Sequence, residues 1–227
     1  MSRAVVLFAR SPAREAVAKG LRIATAAPLF GALFTAWIDA ARQHGAMPVV
    51  ACAAEDRAAL EALANHRCLW LTQRGVTFGA RVAAAADDAF ALGFRAVLIA
   101  ATDAPPTAAL AGAFAALDDG RPVIAPARDG GINFLGITQP EPALLTRLAP
   151  RQRNLVALCR AYFAELVLLD AVVDVDSPAS LAAARRDEAW RLWRALLVLP
   201  VVEPMTVAFH IRRGVARVTS SRPPPAL

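Results

Sequence analysis

Lysine is nearly missing from this chain: Lys19 is the only one among 25 basic residues in a sequence of 227. Cysteine and histidine are scarce as well. Cys52, Cys68 and Cys159 lie far apart without a CxxC pair, which argues against a disulfide framework or a zinc site and fits a reducing compartment. His44, His66 and His210 are equally scattered, so a histidine-based metal site is not expected. No uninterrupted apolar run approaches the roughly 18–20 residues that cross a bilayer. The stretch Ala4 to Ala9 is too short for a secretory signal and runs straight into Arg10-Ser11-Pro12. The expectation is a soluble, cytoplasmic protein with no membrane span and no internal repeats, long enough for one well-packed domain.

The net charge is +6, which raises nucleic acid as a partner. Half of the excess sits in residues 203–227, where Arg212, Arg213, Arg217 and Arg222 face only Glu203. In the remaining body arginines alternate with acids, as in Arg185-Arg186-Asp187-Glu188, the pattern of a solvated face. No aromatic platform is interleaved with them. Nucleic acid is therefore not expected as a partner.

What the chain does contain is a regular alternation. Val97 to Ala101 is an apolar run that reads as a strand buried on both faces, ended by Thr102-Asp103 and stopped by Pro105 and Pro106. Similar runs at Ala4–Ala9, Met47–Ala53, Cys68–Leu71, Pro122–Ala127, Ile132–Ile137 and Leu166–Leu169 predict further strands. Helical spacing predicts helices over 24–43, 55–65, from about 79 to 92, 107–117, 140–148, 152–163 and 179–196, while residues 13–22 read as a polar loop. Strands alternating with helices mean crossovers and a mostly parallel sheet. Val207–Ile211 and Val215–Thr219 around Arg212-Arg213-Gly214 suggest a small hairpin in the tail.

Three acidic sites fall at strand ends: Asp103, Asp129 before two glycines, and the Asp174/Asp176 pair. Open α/β sheets bind ligands at the carboxyl ends of their strands. Mg²⁺ and Mn²⁺ prefer carboxylates combined with substrate phosphates. Lys19 and Arg22 offer cations to such phosphates, and Gly75 and Gly79 allow close backbone approach. A compact ammonium suits a phosphate oxygen, which gives the lone lysine a purpose. Each acid also has a local explanation: Asp103 as cap of the following helix, Asp176 as partner of a helix dipole, Asp129 as part of a turn.

Phe8-Ala9-Arg10-Ser11-Pro12, Gln73-x-Gly75-x-x-x-Gly79-x-Arg81, Thr102-Asp103-x-Pro105, Pro126-Ala127-x-Asp129-Gly130-Gly131, Gly136 and Asp174-Val175-Asp176-Ser177-Pro178 follow one another in order. Over about residues 3–185 they resemble the bacterial glycosyltransferase-like family of the GT-A, nucleotide-diphospho-sugar transferase fold. Its relatives are the phospholactate and molybdenum-cofactor guanylyltransferases. The resemblance implies a single α/β domain over 1–202, its mostly parallel sheet between helices, with a basic extension over 203–227. It implies a transferase taking a nucleotide or nucleotide-sugar and a small-molecule acceptor. Glycosyl transfer from an NDP-sugar comes first, nucleotidyl transfer from an NTP second, and a non-catalytic nucleotide-binding module third.

By the same resemblance, Arg10, Ser11, Lys19, Arg22, Gln73, Gly75, Gly79 and Arg81 would surround the nucleotide, and Gly130 and Gly131 would pass close to sugar or acceptor. Asp103 and Asp176 would hold Mg²⁺ or Mn²⁺, with Asp174 the less favoured ligand. Asp103, Lys19 and Asp129 would be the catalytic set. The chain departs from its relatives where their first loop reads Pro-Gly-x-Val-Lys-Thr-Arg-Leu, where a glycine gives way to Ala100-Ala101, and where Ile132-Asn133 replaces an aromatic pair.

Overall fold

A computed structural model describes residues 2–64, 68–107, 109–188, 190, 191 and 194. The central sheet has seven strands: β1 (Arg3–Phe8), β2 (Met47–Cys52), β3 (Leu69–Thr72), β4 (Ala96–Ala101), β5 (Val123–Pro126), β6 (Ile132–Ile137) and β7 (Val167–Leu168). Their order is β3-β2-β1-β4-β6-β5-β7. β1 to β4 run parallel, while β6 lies antiparallel between β4 and β5. The sheet is therefore mostly parallel with one reversed strand. That reversal follows from the short Asp129-Gly130-Gly131 turn, which can join only antiparallel neighbours.

Eight helices accompany the sheet among the described residues: α1 (Pro12–Ala18), α2 (Ile23–Gln43), α3 (Ala54–Ala64), α4 (Phe78–Ala91), α5 (Ala109–Asp118), α6 (Pro142–Leu145), α7 (Leu155–Tyr162) and α8 (Pro178–Ala184). β1 and β4 show why their runs were apolar throughout. Val5, Leu7, Leu98 and Ala100 pack toward Phe34, Trp37, Ile38 and Phe114 on one face. Val6, Val97 and Ile99 meet Val82, Ala86, Leu145 and Leu155 on the other. α2 is long and apolar enough to cross a membrane, and here its Phe30, Leu33, Phe34, Trp37 and Ile38 are buried within the fold.

Three expectations are corrected. Residues 13–22 hold helix α1 rather than a loop, because Pro12 occupies its first turn and Ala16 packs beneath it. The stretch expected as one helix over 179–196 breaks after Ala184, where Arg185 and Arg186 turn and Asp187 accepts from Trp190 N. The helix expected over 140–148 shrinks to the single turn α6. The boundary at 202/203 and the tail hairpin lie outside the described residues.

Candidate metal and nucleotide site

The carboxyl ends of the strands open into a cavity of about 550 Å³. Asp103 lines it, just past β4. Trp37 Nε1 donates to Ala104 O over 2.8 Å and pins the loop behind it. Asp103 does not cap α5; Thr107 Oγ1 accepts from Ala109 N instead.

A second acidic segment is brought alongside by backbone pairing. Val172 N donates to Pro126 O, and Val175 N donates to Asp103 O over 2.9 Å. Val173 and Val175 are buried against Phe30, Leu33 and Trp190. Along an extended chain alternate residues point opposite ways, so Asp174 and Asp176 face the cavity they both line. Ser177 and Ser180 form a capping box for α8, and Ser180 Oγ also accepts from Asp176 N. With that helix end satisfied, Asp176 keeps its carboxylate for the site.

Lys19, at the carboxyl end of α1, connects the two acidic segments. Its Nζ lies 2.6 Å from Asp103 Oδ2, bonds Asp176 Oδ1, and stands 3.3 Å from Glu15 Oε1. Glu15 in turn accepts from Arg10 over 3.1 Å. Burial alone would lower the Lys19 pKa, but Asp103, Glu15 and Asp176 together hold it above its ordinary value, so the side chain stays an ammonium. Asp174 has no such partner among the described residues. Burial, then the charges of Asp103, Asp176 and Asp129, push its carboxyl up to about 7.

Oxygens of Asp103, Asp174 and Asp176 lie within 4.8 Å of one another. Asp103 Oδ1 is buried and has no hydrogen-bond partner among the described residues. Three hard oxygen donors, one of them orphaned, are the ligand chemistry that Mg²⁺ or Mn²⁺ takes.

Arg10, Gln73, Arg81, Asp129 and Gly131 also line the cavity. Gln73 is fixed by its bond to Ala51 O over 2.9 Å. Arg81 Nε is buried without a hydrogen-bond partner among the described residues. Asp129 stands at the exposed rim, its Oδ1 accepting from Gly131 N over 2.9 Å.

Other expected residues serve the scaffold. Ser11 Oγ and N both bond Asp56 Oδ1, which ties α1 to α3. Arg22 is exposed at the start of α2 and does not line the cavity. Gly75, at φ +128°, turns the chain onto the first turn of α4. Gly79 packs against the end of α6 and the turn beyond it: an added Cβ would come within 2.5–2.7 Å of the carbonyl oxygens of Thr146, Leu145 and Leu148. Gly130 combines φ +97° with an Arg153 carbonyl where a Cβ would project.

Glu15 and Asn133, both lining the cavity, were not expected. Glu15 lies four residues before Lys19, a spacing that becomes informative only once α1 is known to be helical.

The sheet order, the reversed β6 and the acid-lined cavity place this protein in the nucleotide-diphospho-sugar transferase-like, GT-A-type fold class. Residues 37–149 match the family model described as an uncharacterized protein conserved in bacteria, DUF2064. Among solved structures, a protein from Desulfovibrio desulfuricans G20 whose name assigns it to the nucleotide-diphospho-sugar transferases is similar. It superposes with TM-score 0.66 at 21% identity, covering 86% of this chain and 95% of that one. A nucleotidyl transferase from Methanothermobacter thermautotrophicus gives TM-score 0.53 at 17% identity, over 82% and 96%. Rv0371c of Mycobacterium tuberculosis H37Rv, in complex with manganese, gives 0.52 at 14%, over 80% and 96%. At these identities the likeness establishes the fold. No curated protein matches the sequence.

Proposed function

We propose that this protein is a divalent-metal-dependent transferase acting on a nucleotide substrate, with glycosyl transfer from an NDP-sugar as its reaction. The observation that carries the reading is the Asp103–Asp174–Asp176 cluster, with its orphaned Asp103 oxygen, in the cavity at the strand ends. Mg²⁺ or Mn²⁺ held by Asp103, Asp174 and Asp176 would supply positive charge to the leaving diphosphate. Lys19 holds Asp103 and Asp176 in place and presents an ammonium at the same point. Arg81, whose buried Nε has no hydrogen-bond partner among the described residues, offers a donor to an anionic oxygen. Asp129 at the rim would take a proton from an acceptor hydroxyl entering from solvent.

Nucleotidyl transfer from an NTP is the second reading. It is favoured by Lys19 lying within the acidic cluster, where it would meet the same phosphates. The two differ in what they release: a nucleoside diphosphate in the first, pyrophosphate in the second.

The test is a thermal-shift series with nucleotides and NDP-sugars, with and without Mn²⁺. A ligand at 100 times its Kd stabilises the folded state by about 2.7 kcal/mol. Asp103→Ala is expected to abolish the metal-dependent part of the shift. An undiminished shift in that variant removes Asp103 from the site.

A further inference from the structure

No step proposed above uses Asn133, the second residue of β6. It is 4% exposed and lines the cavity. The β5–β6 register pairs Ala125 with Phe134 but Pro126 with Ile132, so Asn133 is the extra residue of a β-bulge. Such bulges re-aim a side chain beside a site. Its Nδ2 donates to Pro126 O over a long 3.4 Å. Its Oδ1 is buried and has no hydrogen-bond partner among the described residues.

A buried carbonyl oxygen left without a donor is destabilising. An apolar side chain would avoid that cost. The 3.4 Å bond to Pro126 is weak enough for the amide to turn toward a bound molecule. Asn133 lies one residue past the last β4–β6 pair, Ala100 with Phe134, on the side where Ala101, Thr102 and Asp103 follow. It thus stands across β4 from the wall formed by Arg10, Gln73 and Phe78, with the acids between. A molecule with its diphosphate at the acids and its base at the β1–β3 wall would bring its other end to Asn133.

We propose that Asn133 is a specificity residue for the sugar of a nucleoside diphosphate sugar, its Oδ1 accepting a hydrogen bond from a sugar hydroxyl. This rests on the transferase reading above. A site built to bond a hydroxyl rejects a ligand that lacks it, because the buried acceptor is then stranded.

The test compares UDP with UDP-glucose and GDP with GDP-mannose in the presence of Mn²⁺, by calorimetry and thermal shift, in wild type and Asn133→Leu. The expected result has two parts. Without ligand, the variant melts at or above the wild-type temperature, since an unsatisfied polar group is gone. With ligand, it binds the diphosphates as wild type does but loses the gain contributed by the sugar, about tenfold or more in Kd.

A lower melting temperature with the sugar gain intact makes Asn133 a holder of the bulge and overturns the inference. Equal loss for diphosphate and diphosphate sugar, or wild-type protein that gains nothing from either sugar, overturns it also. If no nucleotide binds wild type at all, the transferase reading falls together with it. Asn133→Ala carries the same readouts should the leucine variant fail to fold.

Discussion

Asp174 faces three other carboxylates, and that arrangement makes the metal-free fold sensitive to pH. Its folded pKa is raised from 3.8 to about 7, so between those values the folded state holds a proton that the unfolded chain has released. Stability from this group is therefore present below about pH 4, declines as pH rises toward 7, and stays lost above it. Asp174→Asn should remove that slope. At 1.36 kcal/mol per unit, reduced because the group is partly exposed and screened, the gain at pH 8 is on the order of 2 kcal/mol. Urea unfolding at pH 5 and pH 8, with metal chelated, measures it: the wild type should differ between the two, the variant hardly at all. Added Mn²⁺ should narrow the gap at pH 8 in the wild type.

At the scale of elements, the glycines of the Gln73–Arg81 motif divide between turning the chain and packing a helix. Gly79 has no unusual dihedral; three carbonyl oxygens crowd the place of its missing side chain. Gly79→Ala should force α4 away from α6 and destabilise the protein by about 1–3 kcal/mol. Metal titration of the folded fraction should be nearly unchanged, because neither helix carries a carboxylate of the cluster. A variant that keeps its stability but loses nucleotide binding would return Gly79 to a ligand-contacting role. α1 shows the opposite problem. Its charged and small residues suggested a loop, yet the helix carries Glu15 and Lys19 into the acids at a spacing of one turn.

Across the whole molecule, protection should track position in the sheet. β1 and β4 are flanked by strands on both edges and helices on both faces, whereas β3 and β7 are the outer strands. Amide exchange is expected to be slowest in Val5–Leu7 and Val97–Ala100 and faster in Leu69–Thr72 and Val167–Leu168. Mass-spectrometric exchange resolves these segments. Protection in β3 equal to that in β4 would contradict the picture of a sheet built outward from its centre.

The strands and the sites of the acids were legible because each is a local event. An apolar run of five or six residues, stopped by prolines or a glycine turn, specifies a buried strand wherever it lies. Lys19 and Asp103 were therefore named without any knowledge of how they meet. Three things could not be read that way. Asp174 joins Asp103 and Asp176 only because Val175 pairs with the Asp103 backbone, a contact between residues 72 positions apart. Gly79 and Gly130 are required by carbonyls of distant segments. Asn133 owes its orphaned oxygen to a bulge, which depends on register with a neighbouring strand. The pattern of side chains along the chain thus determined the α/β class and supplied the charges. The tertiary structure alone decided which charges share a cavity, because electrostatic and hydrogen-bonding partners are set by distance in space, and parallel crossovers bring together what the sequence keeps far apart.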